Sequence, residues 1–209
     1  MTGTHVLVGQ YDSPFLRRVA VSMHYYGVPY ERNVLSVFRN ADQVADINPL
    51  IKVPVLILPD GEKIFDSLVI LDYLDELAGP KNALTPPDGP RRRAVLRAAT
   101  IGVGISEKCV ALSIDKNLHA NAPSLQWRHR VRHQIKLCLE WIEANASPEG
   151  PWYLGDDLTQ ADITVAAALD HLMLRHPGEL DWDALPKTRG VYNRALALDC
   201  FKAVPLIEG

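Results

Sequence analysis

The stretch YDSPFLRRV, residues 11–19, lies where an apolar run changes into a helical pattern. The preceding run, residues 5–9, is short and apolar and predicts a buried strand. Ser13 is a preferred N-cap residue, and proline suits the first helical turn because its missing N–H needs no partner there. Apolar residues then recur at helical spacing until Gly27. The stretch therefore predicts a strand followed by a helix that begins at Pro14.

Further strands and a helix extend this unit toward the C-terminus. A strand over 30–35 would complete a β-α-β unit and lie parallel to the first strand, with a right-handed crossover. The segments 55–58 and 63–65 flank a Pro-Asp-Gly turn and predict a hairpin. Another helix begins after Asp66. Residues 1–79 therefore predict an α/β domain in the order β-α-β-(α)-β-β-α.

The composition changes in the next segment. Residues 80–90 contain four prolines and predict a linker. Beyond it, apolar stripes at helical spacing cover 98–112 and 127–142, and the very apolar segment 163–174 predicts a core helix. Residues 91–209 therefore predict an all-α helical domain.

Composition and charge restrict the class of protein. The chain has 209 residues, of which 47% are hydrophobic, and it can bury a substantial core. A net charge of −3 gives no electrostatic reason to bind nucleic acid or an anionic membrane surface. No apolar run is long enough to span a bilayer, and the N-terminal residues lack a signal-peptide pattern. We expect a cytoplasmic protein without a nucleic-acid or membrane partner.

Metal-ligand patterns are also missing from the sequence. Cys109, Cys138 and Cys200 are far apart and suggest neither a disulfide framework nor a zinc site. His129 and His133 are four residues apart, but their neighbours are arginines and no carboxylate follows as in a metalloprotease. We interpret them as part of a solvated helix face and expect no metal site.

Four stretches together resemble the cytosolic glutathione transferase family, in its bacterial type with serine at the catalytic turn. They are SPFLRRV, NPLIKVPVLILPDG, FDSLVILDYLDE and LTQADITVAAAL, and they follow one another in the family's order. The resemblance implies an α/β thioredoxin-like N-terminal domain that binds glutathione, and an all-α C-terminal domain that contributes a hydrophobic substrate pocket. It also implies a homodimer, and a transferase that directs the glutathione thiolate at a small hydrophobic electrophile. Glutathione is then a co-substrate, and no cofactor is expected.

The resemblance places glutathione-binding residues at two positions. A proline leading into a strand, such as Pro54, cannot donate a ladder hydrogen bond. In the family this proline is cis, and the backbone of the preceding residue, here Val53, pairs with the backbone of glutathione. The helix that begins at Asp66 and Ser67 offers N–H groups and positive potential to a carboxylate. The family binds the γ-glutamyl end of glutathione there.

Other implied contacts concern the glycyl end and the second substrate. Ile51 stands where relatives often carry a glycine or a polar residue. That position lies near the glycyl end of glutathione, and an isoleucine side chain offers no hydrogen bond to the glycyl carboxylate. Lys52 could bind that carboxylate by its charge, and the alternative is a solvated lysine. The resemblance implies that Tyr11, Phe15 and Ile105 line the hydrophobic substrate pocket.

Ser13 carries the chemistry that the resemblance implies. Thioredoxin-like redox domains use cysteine at this turn, so a serine disfavours a thiol reductase. Its hydroxyl would donate a hydrogen bond to the glutathione thiolate. Such a bond to a charged group contributes roughly 1.5–3 kcal/mol, or about one to two pKa units. Helix capping alone is the other interpretation, and Tyr11 is the reserve donor.

The sequence leaves two alternatives and carries one further motif. A glutathione-binding protein of the same fold with little catalysis, acting as a carrier, sensor or assembly partner, is the alternative function. Gly102 and Gly104 interrupt a helical pattern and either permit close helix packing or leave room for a ligand. Thr159 and Asp162 form a capping-box pattern, which we interpret as structural.

Overall fold

A computed structural model describes residues 3–118 and 124–206. The chain divides into two compact units, one made of Met1–Pro87 with Leu198–Gly209 and the other of Asp88–Ala197. This division differs from the one predicted above, which ended the first domain at residue 79 and assigned the C-terminal segment to the helical domain. Within the described ranges, none of the helices combines the length and the apolar character needed to cross a membrane.

The secondary structure follows the predicted order. In chain order the elements are β1 (His5–Val8), α1 (Pro14–Tyr26), β2 (Tyr30–Asn33), α2 (Ala41–Ala45), β3 (Val55–Ile57), β4 (Lys63–Phe65), α3 (Ser67–Ala78), α4 (Gly89–Leu118), α5 (Leu125–Asn145), α6 (Gln160–Arg175), α7 (Pro186–Leu196) and α8 (Asp199–Lys202). Two short 3-10 helices, Pro177–Glu179 and Trp182–Ala184, connect α6 to α7.

The first unit is built on a sheet with the strand order β2-β1-β3-β4. β1 pairs in parallel with β2, and the α1 crossover between them confirms the predicted β-α-β unit. β3 lies antiparallel to β1 and to β4, so the predicted hairpin is also present. The central strands are buried, and Leu7 and Leu56 are paired neighbours without exposed surface. The thioredoxin-like fold predicted for this part of the chain is confirmed.

Hydrogen bonds explain why the first unit continues past residue 79. The Tyr26 hydroxyl donates to the Asp75 carboxylate at 2.5 Å. The backbone N–H of Leu84 donates to the Tyr26 oxygen at 2.6 Å and to Asp75 at 3.1 Å. Leu84 in the proline-rich segment is therefore hydrogen-bonded to residues of α1 and α3, and this part of the segment is not a free linker.

The C-terminal segment returns to the first unit through α1. The Arg17 guanidinium donates to the carbonyl of Val204 and lies over the ring of Phe201, 5.6 Å from its centroid. Arg17 and Phe201 are buried, with 4% and 2% of their surface exposed. The hydrogen bond between Arg17 and Val204 joins residues 187 positions apart. A hydrophobic periodicity pattern does not reveal such a contact.

The second unit is helical, and α6 lies at its centre. Every residue from 160 to 172 is buried, as the apolar run predicts. Gly102 allows α4 to approach α6 closely, because a Cβ there would lie 3.2 Å from the backbone nitrogen of Val165. A Cβ at Gly104 would meet nothing within 4 Å. Close packing therefore explains the first of these two glycines and not the second.

The predicted capping box at the start of α6 is present. Asp162 has no exposed surface and accepts hydrogen bonds from the N–H groups of Tyr153, at 2.6 Å, and Thr159, at 2.8 Å. The Thr159 hydroxyl also donates to it at 2.8 Å. Burial raises the pKa of the Asp162 carboxyl, and these hydrogen bonds oppose that rise.

We expect Asp162→Ala to lower the free energy of unfolding by about 3 kcal/mol or more, because several buried donors would lose their acceptor. Chemical denaturation measures the change. Asp157→Ala is the matched control, because that carboxylate pairs with Arg91 at 2.8 Å while its side chain is 76% exposed. In Asp157→Ala the free energy of unfolding should fall by less than about 1 kcal/mol. Equal losses in the two variants would contradict the structural role of the box.

Candidate functional site

The turn between β1 and α1 presents Ser13 with its hydroxyl proton available. Its backbone is extended, and its Oγ accepts from the N–H of Leu16 at 3.4 Å. That distance is long beside the usual value of about 2.9–3.0 Å, so the cap is weak. A hydroxyl has one proton and two lone pairs, and capping uses only a lone pair. Ser13 is partly exposed, and its proton can be donated to an external acceptor.

Gly9 brings the Val53 segment against the end of β1. Its φ is +131°, and a Cβ there would lie 2.9 Å from the Cβ of Val53 and 2.5 Å from Leu16 Cδ1. A side chain at this position would therefore push both neighbours away. The Val53–Pro54 peptide bond is cis. Sequence analysis did not identify Gly9, whose only signal is a glycine directly after a strand.

Asn48 holds the loop that leads into this proline. The residue is 1% exposed, its Nδ2 donates to the carbonyl of Lys52 at 2.9 Å, and its Oδ1 accepts from the N–H of Leu50 at 3.0 Å. Ile51 between them has φ +51°, which is rare for a β-branched residue. The side chains of Ile51 and Lys52 are exposed. Asn48 was also missed, because a single polar residue carries no signal in sequence.

Asp66 and Ser67 stand at the N-terminus of α3. Asp66 is exposed, and its carboxylate accepts from the N–H of Leu68 at 2.9 Å. Its φ is +65°, a conformation that costs a residue other than glycine roughly 1–3 kcal/mol. Ser67 is buried, with 3% of its surface exposed.

Arg18 is a further residue that sequence analysis missed. It lies in α1, it is 4% exposed, and its guanidinium donates to the Oγ of Ser67 from Nε at 3.1 Å and from Nη2 at 2.8 Å. Burial lowers its pKa to about 10, and the neighbouring charge of Asp66 opposes that change. The contact joins the helix that Ser13 begins to the helix that Ser67 begins.

The three residues predicted for the substrate pocket differ in their surroundings. Tyr11 is 6% exposed, its hydroxyl contacts that of Tyr30 at 2.8 Å, and Arg32 covers its ring at 3.6 Å from the centroid. Ile105 has no exposed surface in α4. Phe15 is partly exposed. The assignment of Tyr11, Phe15 and Ile105 to a substrate pocket stays a prediction.

The three cysteines lie in helices, Cys109 in α4, Cys138 in α5 and Cys200 in α8. All three are free, and burial raises the pKa of each thiol, to about 12 for Cys109. They are not prepared as thiolate nucleophiles. Within the described part of the chain, the histidines, cysteines, aspartates and glutamates form no group of three or more that could hold a metal ion.

The N-termini of α1 and α3, both in the first unit, carry different side chains. The first N–H groups of a helix lack intrahelical partners, and the helix dipole makes this end attractive to anions. α1 offers the hydroxyl of Ser13, and α3 offers Ser67 beside Arg18 and Asp66. Each of these two helix starts can attract an anionic group.

Comparison with known proteins identifies the family. Residues 7–82 match the model of the glutathione S-transferase N-terminal domain, and residues 126–194 match that of the C-terminal domain. The uncharacterized GST-like protein YibF of Escherichia coli (strain K12) is 31% identical over an alignment that covers 81% of this chain and 82% of YibF.

Solved structures show the same similarity. A glutathione S-transferase from Methylobacterium radiotolerans, in complex with glutathione sulfonate, is 30% identical, has a TM-score of 0.89, and is matched over 99% of this chain and 97% of that chain. A glutathione transferase family member from Pseudomonas fluorescens Pf-5, with bound glutathione, is 31% identical, has a TM-score of 0.86, and is matched over 96% and 98%. The chain belongs to the glutathione S-transferase family.

Proposed function

We propose that the protein binds glutathione and transfers it, as a thiolate, to a small hydrophobic electrophile. The observation that carries this proposal is Ser13, a weakly capping serine with a free proton at the N-terminus of α1. Family membership supports it, as do the two relatives of about 30% identity whose structures contain glutathione or glutathione sulfonate.

The first unit supplies a partner for each part of glutathione. The γ-glutamyl carboxylate binds at the start of α3, where it accepts from Ser67 and from backbone N–H groups, and the ammonium group pairs with Asp66. The peptide groups of glutathione pair with the backbone of Val53 beside the cis Pro54. The Lys52 ammonium, on its exposed side chain, attracts the glycyl carboxylate.

Thiolate formation is the step that the protein promotes. A free thiol has a pKa of about 8.5, and a hydrogen bond from Ser13 lowers it by about one to two units, with help from the α1 N-terminus. The thiol proton passes to water. The thiolate sulfur then forms a bond to an electrophilic carbon, and either a leaving group departs with its electron pair or the adduct takes a proton from solvent. Phe15 is partly exposed next to the turn, and we propose that its side chain contacts the hydrophobic electrophile.

Two other functions are less well supported. A glutathione-dependent thiol reductase needs a thiol at the turn, where this chain has Ser13, and burial raises the pKa of the three cysteines. A glutathione-binding carrier or sensor would use the same binding residues without turnover. An activity assay separates that alternative from a transferase.

Calorimetry with glutathione after chelator treatment tests the first part of the proposal. We expect binding without added metal, because every contact proposed above uses backbone or side-chain groups. Turnover of a simple aryl halide then tests transfer. Binding without turnover across a panel of electrophiles would favour the carrier or sensor, and undetectable binding at millimolar glutathione would exclude both functions.

Ser13→Ala should raise the pKa of bound glutathione by about one to two units. The rate near neutral pH should fall roughly ten- to a hundredfold and recover in part as the pH rises, because alkali then forms the thiolate without the serine. The ultraviolet absorbance of the bound thiolate, followed against pH, measures the shift.

Ser124→Ala is the matched control for capping. Ser124 caps α5 by accepting from the N–H of Trp127 at 3.3 Å, which resembles the geometry at Ser13. Both variants should lose about 1 kcal/mol of stability, and only Ser13→Ala should change the thiol titration. An unchanged titration in Ser13→Ala would leave this serine with a capping role alone.

We also propose that the protein is a homodimer. The family resemblance motivates this proposal. α3 leaves Leu68, Val69 and Leu77 exposed by 58%, 51% and 53%, and we assign Val69 to the interface. Light scattering should give about twice the mass of one chain. Val69→Glu should produce monomers, whereas Leu125→Glu should not, although Leu125 on α5 is 75% exposed. A wild-type monomer at micromolar concentration would contradict the proposal.

A further inference from the structure

Arg32 of β2 holds the turn that carries Ser13 at two points. Its Nη2 donates to the carbonyl of Gly9 at 3.3 Å, and its guanidinium carbon lies 3.6 Å from the ring centroid of Tyr11. A guanidinium within about 6 Å of an aromatic face is attracted by the ring, so this short contact is a cation–π interaction. Gly9 also donates its own N–H to the carbonyl of Asn33, at 2.9 Å. The C-terminal end of β2 therefore anchors the turn.

Tyr11 is held at its hydroxyl as well as at its ring. The hydroxyl forms a hydrogen bond with that of Tyr30, at 2.8 Å, and the Tyr30 hydroxyl lies 3.1 Å from Nε2 of His24. Tyr11 is 6% exposed. Tyr30 and Arg32 point to the same face of β2, because they are two residues apart in a strand. The side chain of Tyr11 therefore packs on that face of β2.

The connection from these anchors to Ser13 is short and closed. Ser13 comes two residues after Tyr11 and four after Gly9. Its backbone N–H donates to the carbonyl of Gln10 at 3.1 Å, so a displacement of the turn also displaces the serine. The Oγ of Ser13 accepts from the N–H of Leu16 at 3.4 Å, and this long contact constrains the hydroxyl weakly. The position of the hydroxyl thus depends on the turn.

We propose that Arg32 is a positioning residue for Ser13, acting through the ring of Tyr11 and the carbonyl of Gly9. This role depends on the proposed function, in which Ser13 donates to the glutathione thiolate. A hydrogen bond weakens steeply when its distance or angle departs from the optimum, so a displaced turn aims the hydroxyl away from the sulfur. By fixing the turn, Arg32 preserves the hydrogen bond that favours the thiolate.

Two other roles for Arg32 make different predictions. If its contacts only stabilised the first unit, their loss would lower the free energy of unfolding without changing the titration of bound glutathione. If Arg32 acted by its charge alone, lysine would replace it, and its loss would raise the thiol pKa even without Ser13. Positioning requires both the planar guanidinium and the serine.

The ultraviolet absorbance of the bound thiolate, followed against pH, measures the effect of Arg32→Met in the glutathione complex. We expect the pKa of the bound thiol to rise by about half to one unit. This rise is smaller than the one expected for Ser13→Ala, because the hydroxyl is displaced rather than removed. A wild-type titration in Arg32→Met would overturn the proposal.

A double variant shows whether Arg32 acts through Ser13. Arg32→Met combined with Ser13→Ala should titrate as Ser13→Ala alone, because the group that Arg32 positions is then absent. A further rise of the thiol pKa in the double variant would mean that Arg32 acts independently of the serine, and it would overturn the proposal.

Arg32→Lys separates charge from stacking, and it decides the question if Arg32→Met does not fold. Lysine keeps the positive charge but has no planar group to stack on the ring of Tyr11. We expect Arg32→Lys to raise the thiol pKa as Arg32→Met does. A wild-type titration in Arg32→Lys would overturn the proposal, because charge alone would then be sufficient.

Arg39→Met is the matched control, because it removes the same charge from an exposed side chain in the segment after β2. It should titrate as the wild type, and an equal rise in Arg32→Met and Arg39→Met would overturn the proposal. A Ser13→Ala variant that titrates as the wild type would remove the thiolate role of Ser13 and the role of Arg32 together. A wild type that does not bind glutathione would exclude the proposed function itself.

Discussion

The N–H groups at the beginning of a helix must find partners outside the helix, and this constraint underlies the candidate site. α1 and α3 both begin at the sheet of the first unit, and polar side chains stand at both starts. At α1 the partner is the hydroxyl of Ser13, and at α3 it is the carboxylate of Asp66. An anionic group can accept from the remaining N–H groups at either helix start.

The chain uses the same capping chemistry for two purposes. At the start of α6, Asp162 is fully buried and accepts short hydrogen bonds, so this cap is saturated and serves stability. At the start of α1, Ser13 is partly exposed and accepts one long hydrogen bond. A capping side chain therefore stabilises the fold where it is buried, as at Asp162. Where it is partly exposed, as at Ser13, it can still form a hydrogen bond with a ligand.

Backbone strain is concentrated around the proposed glutathione contacts. Ile51 and Asp66 both have positive φ although neither is glycine, and both border segments to which we assign glutathione contacts. Such conformations persist only where the surrounding structure enforces them. The hydrogen bonds of Asn48 do so for the loop around Ile51, and the cap to Leu68 does so at Asp66. Functional sites are where local preferences are most often overridden.

The strands, the helix starts, the order of elements and the family could be predicted from the sequence, because these depend on residues close together in the chain. Ser13 and the box of Thr159 and Asp162 were visible for that reason. Which distant residues meet became known only from the packing of the elements. Arg18 and Ser67 are 49 positions apart. Gly9 must be a glycine because Val53 packs against it, and this contact is not visible in the sequence. Periodicity reports which face of an element is buried, whereas the partner across that face depends on how the elements pack.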